Sequence, residues 1–264
     1  MLYLLFFIMA QFLTGVVYTA AVAVRTALAH REMDIAEAAQ LAAERLLAGA
    51  PAVALLANVF VVAVLLLWFR LRHKPLGEAA GLRRCSGWTA AFCAFCAVDF
   101  FVVVQVTLAL LPAVWMTDYN DHMELLLSDG LIPALSITVA APLAEELMFR
   151  GVIQTRLERA MPMWAAVVLQ AVLFGVVHGT PIQMAYAFLL GLAFGFLRSR
   201  TGSILPGIAA HAAFNAMNDP LGIFGDAAGS WYALAVMAAV CAVGCVFCRR
   251  GLASLAATQN GRET

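Results

Sequence analysis

Long apolar stretches, separated by short polar segments, run through the chain. Eight of them reach or approach the roughly 20 residues that an α-helix needs to cross a bilayer. They cover residues 1–24, 51–69, 88–110, 163–178, 182–197, 204–217 and 231–247, and a further one begins at residue 131. The pattern predicts an all-α fold, a polytopic bundle of about eight transmembrane helices.

The segment between the first two apolar stretches has a different pattern. Over residues 31–47 apolar side chains recur on one helical stripe, opposite to charged ones. The stripe holds Ile35, Ala38, Ala39, Ala42 and Leu46, and the opposite side holds Glu37, Glu44 and Arg45. This favours a short amphipathic helix on the membrane surface that ends before Pro51. The acidic segment 112–130 has no Lys or Arg, and we expect it to be a loop.

The composition supports a membrane protein. Hydrophobic residues make up 64% of the 264 residues and charged residues only 12%, whereas soluble domains are roughly 25% charged. The lipid bilayer is therefore an expected partner, and the lack of a basic tail or stripe argues against a nucleic-acid partner. The six cysteines lie mostly in apolar stretches, where we interpret them as small apolar residues rather than a disulfide framework.

The Lys and Arg residues are sorted to one side of the predicted bundle. Most of the 16 follow the second, fourth, sixth and eighth apolar stretches. Because cytoplasmic loops carry an excess of Lys and Arg, this side is predicted to be cytoplasmic. With eight spans both termini are then cytoplasmic. The short connections are typical of a prokaryotic protein, so we expect a multi-pass integral protein of a bacterial inner membrane.

The stretch that begins at residue 131 contains a pair of glutamates. No charge occurs over 132–144, and Glu145, Glu146 and Arg150 then follow within six residues. Glu146 and Arg150 have the i,i+4 spacing at which a helical glutamate and arginine pair, whereas Glu145 points about 100° away. One interpretation is a buried ion pair that fixes helix packing. Because two acids and one base do not balance, Glu145 is also a candidate functional residue.

Two further polar sites interrupt later apolar stretches. Phe174 precedes His178 by four residues, and His211 precedes Asn215 by four. Each pair therefore shares one helix face. A single membrane histidine is typical of packing or hydrogen bonding, but several ionisable residues that converge indicate a functional site.

The spacing predicts that Glu145 and His178 meet. They lie 16 residues before Met161 and 16 residues after Pro162, where the turn between the fourth and fifth stretches is expected. At 1.5 Å per residue each is ~24 Å from that turn on antiparallel helices. The fourth helix must then continue to about Arg159, with the arginine of the ion pair buried. On a helix that starts near Ser203, His211 and Asn215 lie ~12 and ~18 Å from its start. These depths fit a cavity that faces the cytoplasm if the hairpin of the fourth and fifth helices protrudes further from the membrane.

These residue types suit hydrolysis by water. A carboxylate beside a histidine can hold and deprotonate a water molecule, and a second histidine with an asparagine amide can donate hydrogen bonds to an oxyanion. No nucleophile is evident: the chain lacks the G-x-S-x-G motif of a serine nucleophile, and it also lacks the H-E-x-x-H zinc motif. The pattern indicates amide hydrolysis without a covalent intermediate.

The motifs E-E-x-x-x-R, F-x-x-x-H and H-x-x-x-N, in this order on successive helices, resemble those of the CAAX protease and bacteriocin-processing family, also called Abi. Its best-known members are the type II CAAX prenyl endopeptidases. The resemblance covers roughly the catalytic half of the chain. We therefore divide one integrated membrane domain into N-terminal helices with the amphipathic helix (1–130), family-like catalytic helices (131–220), and a last helix with a cytoplasmic tail (221–264).

The resemblance implies a role for each residue of these motifs. Glu145 would be the general base, and His178 would help it to activate water. His211 and Asn215 would stabilise the oxyanion. Supporting roles fall to Glu146, Arg150 and Phe174.

The part played by metal is left open. Members of the family have been described both as metalloproteases and as glutamate-dependent enzymes without bound metal. Glu145, His178 and His211 are chemically acceptable ligands for zinc or another divalent metal. The sequence indicates no other cofactor.

The family resemblance implies an intramembrane endopeptidase, a hydrolase that cleaves a peptide or a lipidated protein, with CAAX-type processing as one case. A first alternative is a non-catalytic family member that acts as a membrane immunity or regulatory scaffold. A second is a small-solute or proton-coupled transporter, because buried acids and histidines also form proton relays. Internal repeats are common in transporters, and none is evident here.

Overall fold

The computed structural model describes residues 2–29, 34–73, 77, 80–126 and 130–218. These residues form eight helices and no strand, so the predicted all-α class is confirmed for the described part of the chain. The helices are α1 (Leu2–Ala29), α2 (Ile35–Leu71), α3 (Gly87–Ala109), α4 (Ala113–Leu126), α5 (Leu131–Leu157), α6 (Met163–Val176), α7 (Pro181–Thr201) and α8 (Leu205–Ala216).

Five of these helices are long and apolar enough to cross a membrane, namely α1, α2, α3, α5 and α7. Helix α6 is apolar but shorter, and α8 has 12 residues. The protein is therefore an integral membrane protein. The expected last span, 231–247, lies outside the described residues, so the count of eight spans stays a prediction.

Helix α2 corrects the prediction of a separate amphipathic surface helix. It is one continuous helix of 37 residues with Pro51 inside it. Its N-terminal half packs along α1: the Tyr18 hydroxyl donates to the Arg45 carbonyl at 3.1 Å, and Arg45 donates to the Thr26 hydroxyl at 3.2 Å. Because α1 provides these polar partners, the charged N-terminal turns of α2 pack against α1 in a helical hairpin. They do not form a separate surface helix.

Helix α4 corrects the prediction of a loop over 112–130. Pro112 stands just before it, where its missing N–H costs no helical bond, and its carbonyl accepts from the Trp115 N–H at 2.9 Å. The ring of Tyr119 is buried and meets Tyr186 of α7 edge to face at 6.4 Å. The carboxylates of α4 stay exposed, so an acidic segment forms a helix by burying one aromatic face.

Helix α5 runs on past the ion pair as the spacing predicts, ending at Leu157 with a turn through residue 160. Two parts of it are π-helical, Ser136–Ala140 and Leu147–Gln154. The second part is wholly buried, and its apolar residues form the centre of the largest core cluster. π-Helical turns are rare and occur frequently at functional sites.

Helices α6 and α7 approach closely through small residues. A Cβ at Gly191 would lie 2.9 Å from the Cβ of Ala171, so only glycine fits this contact. The Gln170 amide of α6 donates to the Gly191 carbonyl at 2.7 Å. This packing holds the end of α6, where His178 follows, against α7.

Candidate active site

A cavity of about 360 Å³ lies within the helical bundle, lined by residues of α1, α2, α4, α5, α6, α7 and α8 and the turn after α6. The four predicted catalytic residues, Glu145, His178, His211 and Asn215, all line it, as does Phe174. The sequence motifs are therefore brought together in one space.

The predicted ion pair is present beside this cavity. Nη1 of Arg150 lies 2.7 Å from Oε1 of Glu146, and both side chains are completely buried. The Arg150 guanidinium also lies over the rings of Phe174, at 4.2 Å, and Phe194, at 5.2 Å. Cation–π contacts of this kind are strongest where water is excluded. Phe174 thus contributes to holding the arginine.

Glu145 does not take part in that pair. Its Oε2 is buried and has no hydrogen-bond partner among the described residues. Nε2 of His211 lies 3.7 Å from this oxygen, which is too far for a hydrogen bond. Glu145 therefore lines the cavity with a carboxylate that is not engaged by the arginine.

His211 lies between the two glutamates. Its Nδ1 is 3.3 Å from Oε1 of Glu146, and its Nε2 faces Glu145. An ionised carboxylate can only accept, so Nδ1 is the donor in the contact with Glu146. His211 is thereby oriented by the same carboxylate that pairs with Arg150.

His178 has a defined tautomer. Its Nδ1 lies 2.7 Å from the backbone carbonyl of Phe174. A carbonyl oxygen only accepts, so Nδ1 carries the proton, and in the neutral ring Nε2 keeps its lone pair. The ring also packs edge to face against Phe174, with centroids 4.7 Å apart. His178 can therefore accept a hydrogen bond from water through Nε2.

Asn215 is anchored to the first π-helical segment of α5. Its Nδ2 donates to the carbonyl of Ile137 at 3.0 Å. An amide nitrogen has two protons, so one N–H of Asn215 remains for a ligand. The irregular turn of α5 thus fixes the direction of this side chain.

Gly207 lets α8 approach the ion pair. A Cβ at this position would lie 2.8 Å from Oε2 of Glu146. Gly207 is one helical turn before His211, so the close approach also sets the depth of that histidine.

The comparison with protein-family models agrees with these motifs. Residues 127–217 match the model described as Type II CAAX prenyl endopeptidase Rce1-like. This match supports the assignment to the CAAX protease family. No curated protein and no solved structure matches the chain. The resemblance drawn from the motifs is confirmed, and the family supports a CAAX-type intramembrane protease role in general terms.

The residues suggested as metal ligands are not arranged as a metal site. Within the described ranges, no three His, Cys, Asp or Glu side chains form a group that could hold a metal ion. These side chains do not fit a three-ligand zinc centre, and no step below is derived through metal.

The sequence predicts a cavity that faces the cytoplasm, on the side that is rich in Lys and Arg. His122 and Met123 of α4 line the cavity together with Gly179, so it lies near the acidic end of the bundle. Sequence reasoning missed the α4 residues because it assigned them to a loop. The mid-membrane carboxylate of Asp99 on α3 is not among the lining residues.

Gln183 is a further residue that the motifs did not indicate. It lines the cavity near the start of α7, and its buried Oε1 has no partner among the described residues. Its position five residues after His178, the end of the histidine motif, is the only signal that the sequence offers.

Proposed function

We propose that this protein is an intramembrane endopeptidase in which Glu145 activates a water molecule to cleave a peptide bond. One observation carries the proposal. The side chains of Glu145 and His178 line the same cavity, Glu145 outside the ion pair and His178 with a lone pair on Nε2. These two groups accept the two protons of one water molecule.

The reaction follows from these positions. Glu145 takes one proton from the water molecule while the water oxygen forms a bond to the carbonyl carbon of the substrate. His178 accepts a hydrogen bond from the other O–H of the water and so orients the water molecule. The carbonyl oxygen becomes an oxyanion, which accepts a hydrogen bond from the free N–H of Asn215. When His211 carries both protons, the oxyanion also accepts a hydrogen bond from Nε2–H of His211. The C–N bond then breaks, and Glu145 returns its proton to the leaving nitrogen.

The ion pair and its aromatic neighbours support these groups. Glu146 fixes the ring of His211 and is itself held by Arg150. Phe174 packs against Arg150 and His178. We therefore assign a positioning role to Glu146, Arg150 and Phe174. The catalytic helices are proposed to lie at 131–220, within a bundle of eight transmembrane spans.

The substrate is proposed to be a peptide or a lipidated protein that reaches this cavity in or at the membrane. The protein is proposed to lie in a bacterial inner membrane with both termini in the cytoplasm. This orientation follows from the sorted Lys and Arg residues.

The test is a cleavage assay with purified protein in proteoliposomes. Wild type, Glu145→Ala and His178→Ala are compared on a prenylated CAAX peptide and on an unbiased peptide library, with and without chelator. We expect cleavage by the wild type only and no effect of the chelator. Loss of activity with chelator would instead require a metal. Folded wild type that cleaves neither substrate would favour the scaffold alternative.

A further inference from the structure

The two ends of the helical bundle differ in charge. At one end the segment before α3 packs against the turn between α7 and α8: the Ile204 N–H donates to the Gly81 carbonyl at 2.9 Å, and the Ser203 hydroxyl to the Arg83 carbonyl at 2.6 Å. Arg198 of α7 joins Glu158, just after α5, at 3.9 Å. This basic end carries Arg70, Arg72, Arg83, Arg84, Arg156, Arg159, Arg198 and Arg200.

The opposite end is formed by α4, the turn after α6 and the α1–α2 hairpin, where Arg25 and Arg45 are outnumbered by Asp34, Glu37 and Glu44, so this end is acidic. Asp118, Asp121 and Glu124 of α4 are exposed, and no Lys or Arg occurs from residue 112 to residue 130. Short connections rich in Lys and Arg stay in the cytoplasm. The basic end is therefore cytoplasmic, and the end with α4 is extracytoplasmic.

The catalytic cavity belongs to the acidic end. From α5 to α8 its lining comes from the part of each helix nearest α4: the first half of α5, the end of α6, the start of α7 and the end of α8. The first third of α1 and the middle of α2 complete it. Toward the basic end it is closed by Phe149, Arg150 and Phe174, none of which is more than 1% exposed. Its accessible lining residues include His122 and Gly179.

We propose that the cavity admits its substrate from the extracytoplasmic side of the membrane. The substrate class is then a polypeptide segment that an exported or membrane-embedded protein exposes on that side. A protein that is prenylated and retained in the cytoplasm does not reach this opening. The choice of substrate rests on the proposed endopeptidase function, whereas the side on which the cavity opens rests on charge and geometry alone.

Cysteine labelling in intact cells tests the side. Cys85 at the basic end is a native probe, and Val114→Cys on α4 adds a probe at the other end, where the native side chain is 77% exposed. The remaining cysteines, Cys93, Cys96, Cys241, Cys245 and Cys248, are replaced by alanine. The full chain is expressed in the inner membrane of a bacterial host and treated with a membrane-impermeant maleimide.

We expect Val114→Cys to be labelled in intact cells and Cys85 only after permeabilisation. Burial raises the pKa of the Cys85 thiol, so its thiolate fraction is low and labelling is carried out at mildly alkaline pH. Labelling of Cys85 in intact cells, with Val114→Cys protected until permeabilisation, would overturn the proposal.

A second measurement uses the native cysteines, in case the substituted chain does not fold. A short epitope is inserted after Pro112 in one variant and after His73, beside the basic end, in another. Antibody should reach the first epitope on intact spheroplasts and the second only after lysis; the reverse result would contradict the proposal.

Labelling does not depend on catalysis, so the two proposals can fail separately. Glu145→Gln should label as the wild type does. A reversed labelling pattern in a protein that cleaves peptides would mean that the substrate enters from the cytoplasm. The expected labelling pattern in a protein without cleavage activity would reject only the endopeptidase function.

Discussion

Oε1 of Glu146 accepts from Arg150 at 2.7 Å and lies 3.3 Å from Nδ1 of His211. One carboxylate oxygen therefore joins the ion pair of α5 to the histidine of α8. In the sequence, Glu145 and Glu146 face only one nearby base, Arg150. In the fold, His211 is a second basic residue beside both glutamates. Glu146 can hold both Arg150 and His211 only if all three side chains keep their positions.

Arg150→Met is expected to destabilise the protein strongly. It leaves Glu146 as a buried carboxylate without its guanidinium, and breaking such a pair costs about 3–5 kcal/mol. Thermal unfolding in detergent, together with the yield of monodisperse protein, measures the loss. The double variant Glu146→Gln with Arg150→Met removes both charges and should recover part of the stability. A single variant as stable as wild type would show that the pair is not structural.

Glu145→Gln is expected to abolish cleavage while the protein remains folded. The amide cannot take a proton from water, and general-base catalysis contributes about 10²- to 10⁴-fold in rate. Because Oε2 of Glu145 bonds to nothing in the described part of the chain, the substitution breaks no hydrogen bond of that atom. Initial cleavage rates and the unfolding midpoint are measured together.

Glu44→Gln is the matched control for that change, since Glu44 is an exposed glutamate on α2. It should leave both the rate and the midpoint as in the wild type. Full activity of Glu145→Gln would reject Glu145 as the base.

Gly207→Ala is expected to lower stability and activity together. The added Cβ would stand 2.8 Å from Oε2 of Glu146, so either α8 or the carboxylate must move, at a cost of about 1–3 kcal/mol. His211, one turn further along α8, moves with it. Gly15→Ala is the control, because a Cβ at Gly15 meets nothing within 4 Å. Equal behaviour of the two variants would argue against a tight contact at Gly207.

The convergence of the site could be predicted because it depends on simple helix geometry. Glu145 and His178 are equally far from one turn, so antiparallel straight helices bring them to one depth. The pairing of Glu146 with Arg150 needed only the i,i+4 rule. Both predictions are local or span a single hairpin, and the structure confirms the pairing and the shared cavity.

The missed features depend on contacts between distant segments. Helix α4 forms although its segment is polar, because Tyr119 buries its ring against Tyr186 of α7. Helix α2 continues through Pro51 because α1 binds its polar turn. No local pattern contains these partners, so the sequence predicted a loop and a surface helix instead. For the same reason His122 could not be recognised as a cavity residue.

Asn215→Ala is expected to slow cleavage by about 10²- to 10³-fold, as the removal of one oxyanion donor does. Its side chain donates one hydrogen bond to α5, at the Ile137 carbonyl, and losing one such hydrogen bond costs about 1 kcal/mol. The rate should therefore fall far more than the stability. A donor to the oxyanion acts in the transition state, so kcat should change and KM should stay near its wild-type value.

Asn218→Ala separates this role from a general effect at the end of α8. Its Nδ2 donates to the Asn215 backbone carbonyl at 3.2 Å, and it lines the same cavity. It should retain most of the activity, because it has been assigned no part in the reaction. Equal losses of kcat in the two variants would mean that Asn215 acts by holding the helix end against the π-helical turn. A loss confined to Asn215→Ala would support its amide as the oxyanion donor.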